Sequence, residues 1–261
     1  MKNDFFTVCG FNFTSDSCNG DVTNLLMAHT VFNPAHDLNV DGNKLNYRLY
    51  TRPNPREEIL LTTNTYDELN PLLETKVLLH GWIEGHNTPW IIDMKDTYLL
   101  KGEFNVIIPD WDAYVNAPYF YVVPIASGVG RELGHFLANL SDLSRIELSN
   151  THIVGHSLGA HIAGVAGKQI YSRTGRKVAR ISSLDAAGPL FNDNHVSRRI
   201  DAGDADFVDA IHTNGFVAGY GGNYGSVDFY VNGGVFQPGC KSLLQFLNSR
   251  ITCLVAFDFS K

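Results

Sequence analysis

From Lys44 onward the chain alternates short apolar runs with stretches of helical spacing, and this alternation restricts the fold more than any other feature of the sequence. Strands separated by helix-length segments do not pair as hairpins. They line up in a mostly parallel sheet with helices on both faces, an α/β domain. The candidate strands are Leu45 to Thr51, Lys76 to His80, Asn105 to Pro109, Thr151 to Gly155, Val178 to Leu184 and Phe207 to His212. One helix is expected to begin just after Pro124, with Val129, Leu133, Phe136, Leu137 and Leu140 on one face. Another runs from Leu158 to Tyr171, where Gly159, Ala160, Ala163, Gly164, Ala166 and Gly167 leave room for close backbone approach. Residues 1–43, rich in Asn, Asp, Thr and Gly, read as an irregular arm ahead of a domain over 44–261.

Composition narrows the function classes. A chain of 261 residues buries roughly three quarters of the surface it exposes when unfolded, enough for a core without metal or disulfide. Its net charge is −7, with no block of basic residues, so nucleic acid is not an expected partner. The longest apolar run, Tyr119 to Gly130, contains Pro124 and is too short to span a bilayer. Four cysteines fall as two close pairs, Cys9 with Cys18 and Cys240 with Cys253. Two N-x-[ST] sequons, at Asn12 and Asn139, also point to an exported protein. Against them, Met1 to Phe6 shows no apolar segment of the signal-peptide type.

In such sheets the chemistry gathers beyond the carboxyl ends of the strands, and the polar residues sit there: His80-Gly81-Trp82, Asp110, Gly155-His156-Ser157, Asp185 and His212. Gly155-His156-Ser157-Leu158-Gly159 fits G-x-S-x-G, flanked by an apolar strand and a small-residue helix as a nucleophile elbow requires. A serine hydroxyl needs a base, and the base needs an acid to orient it. In the chain order Ser, acid, His, Asp185 is the candidate acid and His212, at a strand end, the candidate base. The backbone N–H of Leu158, with that of Trp82 from the Gly81 loop, is the candidate oxyanion hole.

Together these segments resemble the pancreatic-lipase-like serine hydrolases, in particular their short secreted insect members and phospholipase A1 relatives. The likeness runs from about Asn46 to Cys240 through Leu79-His80-Gly81-Trp82, Pro109-Asp110-Trp111, Gly155 to His161, Leu184 to Pro189, Asp204 to Thr213 and Gln237 to Cys240. It implies an α/β-hydrolase fold, secretion, a lipid ester substrate met at a lipid–water interface, Ser157 as nucleophile and Asp185 as acid. It also implies a calcium loop at Arg199, Asp201 and Asp204, although Val196 stands where an additional acidic ligand is expected. The short Gly219 to Gly222 loop and the short span after Cys240 imply an open site, which in the family goes with phospholipid preference.

The likeness fails at the base. The family carries its histidine in a Cys-x-His segment, and alignment puts Asn248 or Val255 there. No histidine follows His212. The resemblance assigns the Ile211-His212-Thr213 histidine to the framework, so catalytic and structural roles both stay open for it. The apolar tail Ile251 to Phe259 reads as an altered or truncated C-terminus with no room for a separate β-sandwich domain. A lipid-binding, yolk-type relative without the triad histidine is the alternative to an enzyme.

Overall fold

The structure is a computed structural model that describes residues 40–191 and 196–238. The four cysteines, the Asn12 sequon, His195, Asn248, Val255 and the apolar tail lie outside the described residues, as does nearly all of the N-terminal arm. Eight strands form one sheet: β1 (Asn46–Tyr50), β2 (Ile59–Leu60), β3 (Thr75–Leu79), β4 (Asn105–Asp110), β5 (Thr151–His156), β6 (Val178–Leu184), β7 (Ala205–His212) and β8 (Val227–Tyr230). Their spatial order is β2-β1-β4-β3-β5-β6-β7-β8. Only β1 is antiparallel to its neighbours β2 and β4; every other pair is parallel.

Residues alternate between two cores as the pleat dictates. Val77, Leu79, Ile107, Ile153 and Ile181 face one side, packed under α2 (Tyr119–Asp142) and α3 (Leu158–Thr174). Leu78, Val106, Ile108 and Val154 face the other, packed under Ile91, Met94 and Leu99 of α1 (Pro89–Lys101). Helices therefore cover both faces, as the alternation requires. The chain steps from β3 outward to β4, returns across β3 to β5, and then proceeds the other way to β8. The order thus reverses beside β3 and β5, where open α/β sheets leave a crevice at their carboxyl ends.

Two elements depart from expectation. Helix α2 begins at Tyr119, ahead of Pro124 rather than after it. A proline in the second turn removes a single donor, and the apolar residues on both sides, Val122, Val123, Ala126 and Val129, are all buried. Helix α1 carries no strong apolar stripe; it starts on Pro89 at its first turn and ends at Gly102.

Helices α2 and α3 lie against one another at close range. A Cβ at Gly130 would sit 2.8 Å from the Ile162 carbonyl oxygen and 2.7 Å from Val165 Cβ. Gly130→Ala is therefore expected to destabilise the fold by about 1–3 kcal/mol. This would occur although alanine is the better helix former by about 1 kcal/mol. Urea unfolding followed by circular dichroism reads the difference.

Candidate active site

Strand β5 ends at His156, and the next residue, Ser157, turns with φ 54° and ψ −117° into the first turn of α3. A non-glycine residue there is strained and needs its surroundings to fix it. The Ser157 N–H donates to the Leu184 carbonyl (3.0 Å), and its own carbonyl accepts from Ala160 N and Ala187 N (3.2 Å each). The two glycines permit the turn. A Cβ at Gly155 would lie 2.3 Å from the Gly159 carbonyl oxygen, and one at Gly159 would lie 2.6 Å from the Leu79 and His80 carbonyl oxygens. The side chain of Ser157 is half-buried, so its hydroxyl remains reachable.

Asp185 repeats the arrangement one strand over, with φ 48° and its N–H on the Ile211 carbonyl (2.8 Å). Its Oδ1 accepts from the amides of Thr213 and Asn214 (2.9 Å each). Among the described residues Oδ2 takes no hydrogen bond. One oxygen is thus pinned and the other left available, as an acid that orients an imidazole requires.

The Trp82 arm is built differently. Gly81 lies against the serine, where an added Cβ would be 2.9 Å from Ser157 Cβ. The Gly81 carbonyl accepts from His80 Nδ1 (3.0 Å), which therefore carries the hydrogen, while His80 stacks on Trp111. In a trans peptide the carbonyl and the following N–H point oppositely, so holding the Gly81 oxygen aims the Trp82 N–H away from His80. The Ser157 carbonyl, held by two donors, fixes the Leu158 N–H in the same way. Among the described residues neither amide has a hydrogen-bond partner. The Trp82 indole donates to the Ala117 carbonyl (2.9 Å) and meets Tyr119 edge-on.

Glu84 was not legible as a site residue, because a lone glutamate in a turn reads as solvated. Its Oε2 accepts from Gly81 N (2.6 Å) and from His156 Nδ1 (2.9 Å), and its Oε1 accepts from Trp90 Nε1 (3.0 Å). One largely buried carboxylate thereby joins the Gly81 loop, the elbow and α1. Burial alone would raise this carboxyl, but His156 and the other donors outweigh it and hold it at about 2. Burial likewise disfavours charge on His156, and Glu84 with Asp185 outweighs that and raises it.

His212 is buried, with Nδ1 on the Tyr220 carbonyl (3.1 Å) and Nε2 on Asp228 Oδ1 (2.8 Å). It stacks on Tyr230 at 4.3 Å. Both ring nitrogens are engaged by acceptors inside the fold, so neither is left for a serine hydroxyl, and the geometry gives His212 a framework role. His161, which burial holds down to about 3, donates from Nε2 to the Ala187 carbonyl (2.7 Å) and accepts at Nδ1 from Ile200 N (3.3 Å).

The resemblance reserved Arg199, Asp201 and Asp204 for calcium. Lys168 Nζ instead donates to the Arg199 carbonyl (2.9 Å) and to both Asp204 oxygens (2.5 Å each). Asp201 Oδ1 accepts from Gly203 N (3.2 Å). With Val196 offering no side-chain oxygen and Lys168 Nζ on the Arg199 carbonyl and Asp204, these residues do not fit a divalent cation that wants six to eight ligands.

Around the crevice, apolar side chains meet water on strained backbone. Ile83, Leu190 and Phe216 follow β3, β6 and β7 with φ of 55°, 65° and 65°. Ile83 is 59% exposed and Phe216 79%. A β-branched or bulky residue at positive φ costs about 1–3 kcal/mol, which a loop free to relax would avoid. A shallow pocket of about 510 Å³ between Glu147, Tyr171, Arg176 and Asp206 lies at the opposite, amino ends of the strands and has no part in this site.

Comparison with known proteins agrees with this geometry. A family model described as Lipase matches residues 16–254. The hepatic triacylglycerol lipase of Oryctolagus cuniculus is 40% identical over 184 residues, covering 67% of this chain and 36% of that protein. Lipase member H of the same species is 36% identical, covering 77% and 44%. Pancreatic lipase-related protein 2 of Cavia porcellus is 35% identical, covering 82% and 52%. The chain spans between about a third and a half of the length of these relatives.

The Glu84–His156 pair carries a pH signature. The depressed Glu84 stabilises the fold fully above about pH 4.5, its ordinary value, and loses that contribution as pH falls toward about 2. The raised His156 contributes fully below about pH 6.5 and loses its share as pH rises through its folded value. Glu84→Gln is expected to cost about 1–3 kcal/mol. The gap in melting temperature to the unsubstituted protein should be widest between about pH 4.5 and 6.5 and narrow on either side. A gap that does not vary with pH would refute the ion pair.

Proposed function

The chain belongs to the lipase family, an α/β-hydrolase by its sheet and elbow, and from that premise we propose that it hydrolyses carboxylic esters of acylglycerols or phospholipids through an acyl-enzyme on Ser157. The observation that carries this reading is the elbow itself. A strained, reachable Ser157 stands against Gly81, with two backbone amides beside it that have no partner among the described residues and Asp185 one strand away. The Ser157 oxygen attacks the ester carbonyl, and the oxyanion is received by the N–H groups of Trp82 and Leu158. The alcohol or lysolipid leaves and water releases the fatty acid. Asp185 keeps one oxygen open for a base, and because no histidine follows His212 in this sequence the serine proton passes to water. The exposed Ile83 and Phe216, with the half-buried Leu190, give acyl chains an apolar rim and support a lipid over a small polar ester. The phospholipase A1 preference rests on the short loop Gly219 to Gly222.

We place the protein outside the cell, on the paired cysteines and on the Asn139 sequon, which is exposed on α2. Among the described residues no helix is long and apolar enough to cross a membrane.

One observation favours a second reading, a lipid-binding relative without turnover: His212 has both nitrogens engaged, and no histidine follows it in the sequence. The two readings part in one experiment. The purified chain and its Ser157→Ala variant are exposed to a fluorophosphonate probe and assayed on phosphatidylcholine vesicles and on emulsified triacylglycerol. Hydrolysis predicts labelling and a turnover that are both lost in the variant. Vesicle binding without labelling or turnover above the variant establishes the second reading.

A further inference from the structure

The loop from Val196 to Asp204 is pressed onto α3. A Cβ at Gly167 would lie 2.3 Å from the Asp204 carbonyl oxygen, and one at Gly164 would lie 2.6 Å from Ile200 Cα. That packing drives the Asp204 carboxylate, 3% exposed, into the protein. A buried carboxylate without a cation costs several kcal/mol, so it stays charged only with a positive group beside it. The chain supplies it from the helix beneath. An ammonium has three N–H donors, and three oxygens converge on Lys168 Nζ: the Arg199 carbonyl and both oxygens of Asp204. A further bond of the carboxylate stays inside the loop, where Asp204 Oδ2 also accepts from Asp201 N (2.8 Å). Asp201 in turn closes a capping box onto the same turn.

We propose that Lys168 is the resident cation of this loop, standing where the resemblance puts calcium, so that the loop folds and holds without a divalent metal. The Arg199 carbonyl, both Asp204 oxygens and Asp201 Oδ1, oxygens that calcium would draw on, already accept from N–H groups. One positive charge already balances the one buried negative charge, and a second cation there would face the ammonium at contact distance. The inference is independent of whether the chain turns over its ester.

Thermal unfolding tests it with the full chain. The unsubstituted protein should melt at the same temperature in EDTA and in excess calcium chloride. Lys168→Met, which keeps the bulk and removes the charge, should lower the melting temperature by about 6–15 °C, the range for a broken buried pair in a domain of this size. The double variant Lys168→Met with Asp204→Asn should cost less than the two single changes added together, because the stranded carboxylate is gone. A calcium-dependent rise in the unsubstituted protein that Asp204→Asn abolishes would overturn the proposal. So would a Lys168→Met protein that melts unchanged. Where Lys168→Met or Asp204→Asn fails to fold, the unsubstituted protein decides: a rise with calcium overturns the proposal, and indifference to calcium supports it.

Discussion

The hydrogen bond from Ser157 N to the Leu184 carbonyl organises the carboxyl end of this molecule. His156 pairs with Leu184 in the parallel register of β5 and β6, and the ladder continues one residue further, into a residue that is no longer extended. The same happens at the next pair: Leu184 registers with Ile211, and Asp185 N reaches the Ile211 carbonyl from positive φ. Each turn is thus hooked to the strand beside it. Strain at one position costs about 1–3 kcal/mol, and the sheet holds it by pairing on both sides.

The two halves of the crevice rest on different physics. The elbow and Asp185 are held by backbone hydrogen bonds that any side chain could accompany, given the glycines. The Trp82 arm depends on particular side chains: His80 takes the Gly81 carbonyl, Glu84 takes the Gly81 amide, and Trp90 and His156 hold Glu84. Beyond Asp185 the wall is a carboxylate–imidazole pair, Asp228 with His212. There Asp228 also accepts from the amides of Tyr224 and Gly225.

What the sequence made legible follows the same division. Strands β3 to β7 could be read because each is an apolar run ended by a polar residue at the sheet edge. The elbow could be read because the sterics of Gly155 and Gly159 are written in the pattern G-x-S-x-G. Asp185 followed from its place after an apolar strand. Helix α1 was invisible because it presents no strong stripe, and the start of α2 was misplaced because Pro124 looks like a boundary when packing makes it an interior residue. Glu84 and Lys168 escaped for a common reason. Charged side chains are read as solvated faces, and only the folded chain shows three acceptors gathering on one ammonium and three donors on one carboxylate.

The hooked turns also set a clock. An amide bonded across two parallel strands exchanges its hydrogen with water only when those strands part, and opening a central sheet approaches global unfolding in cost. The amides of Ser157 and Asp185 therefore belong to the slowest-exchanging class in the chain, although both residues sit in turns at a half-open crevice. The nucleophile does not move on its own, and among the described residues the part of the crevice placed to reshape on a faster timescale is the Trp82 arm, which side chains alone keep in place.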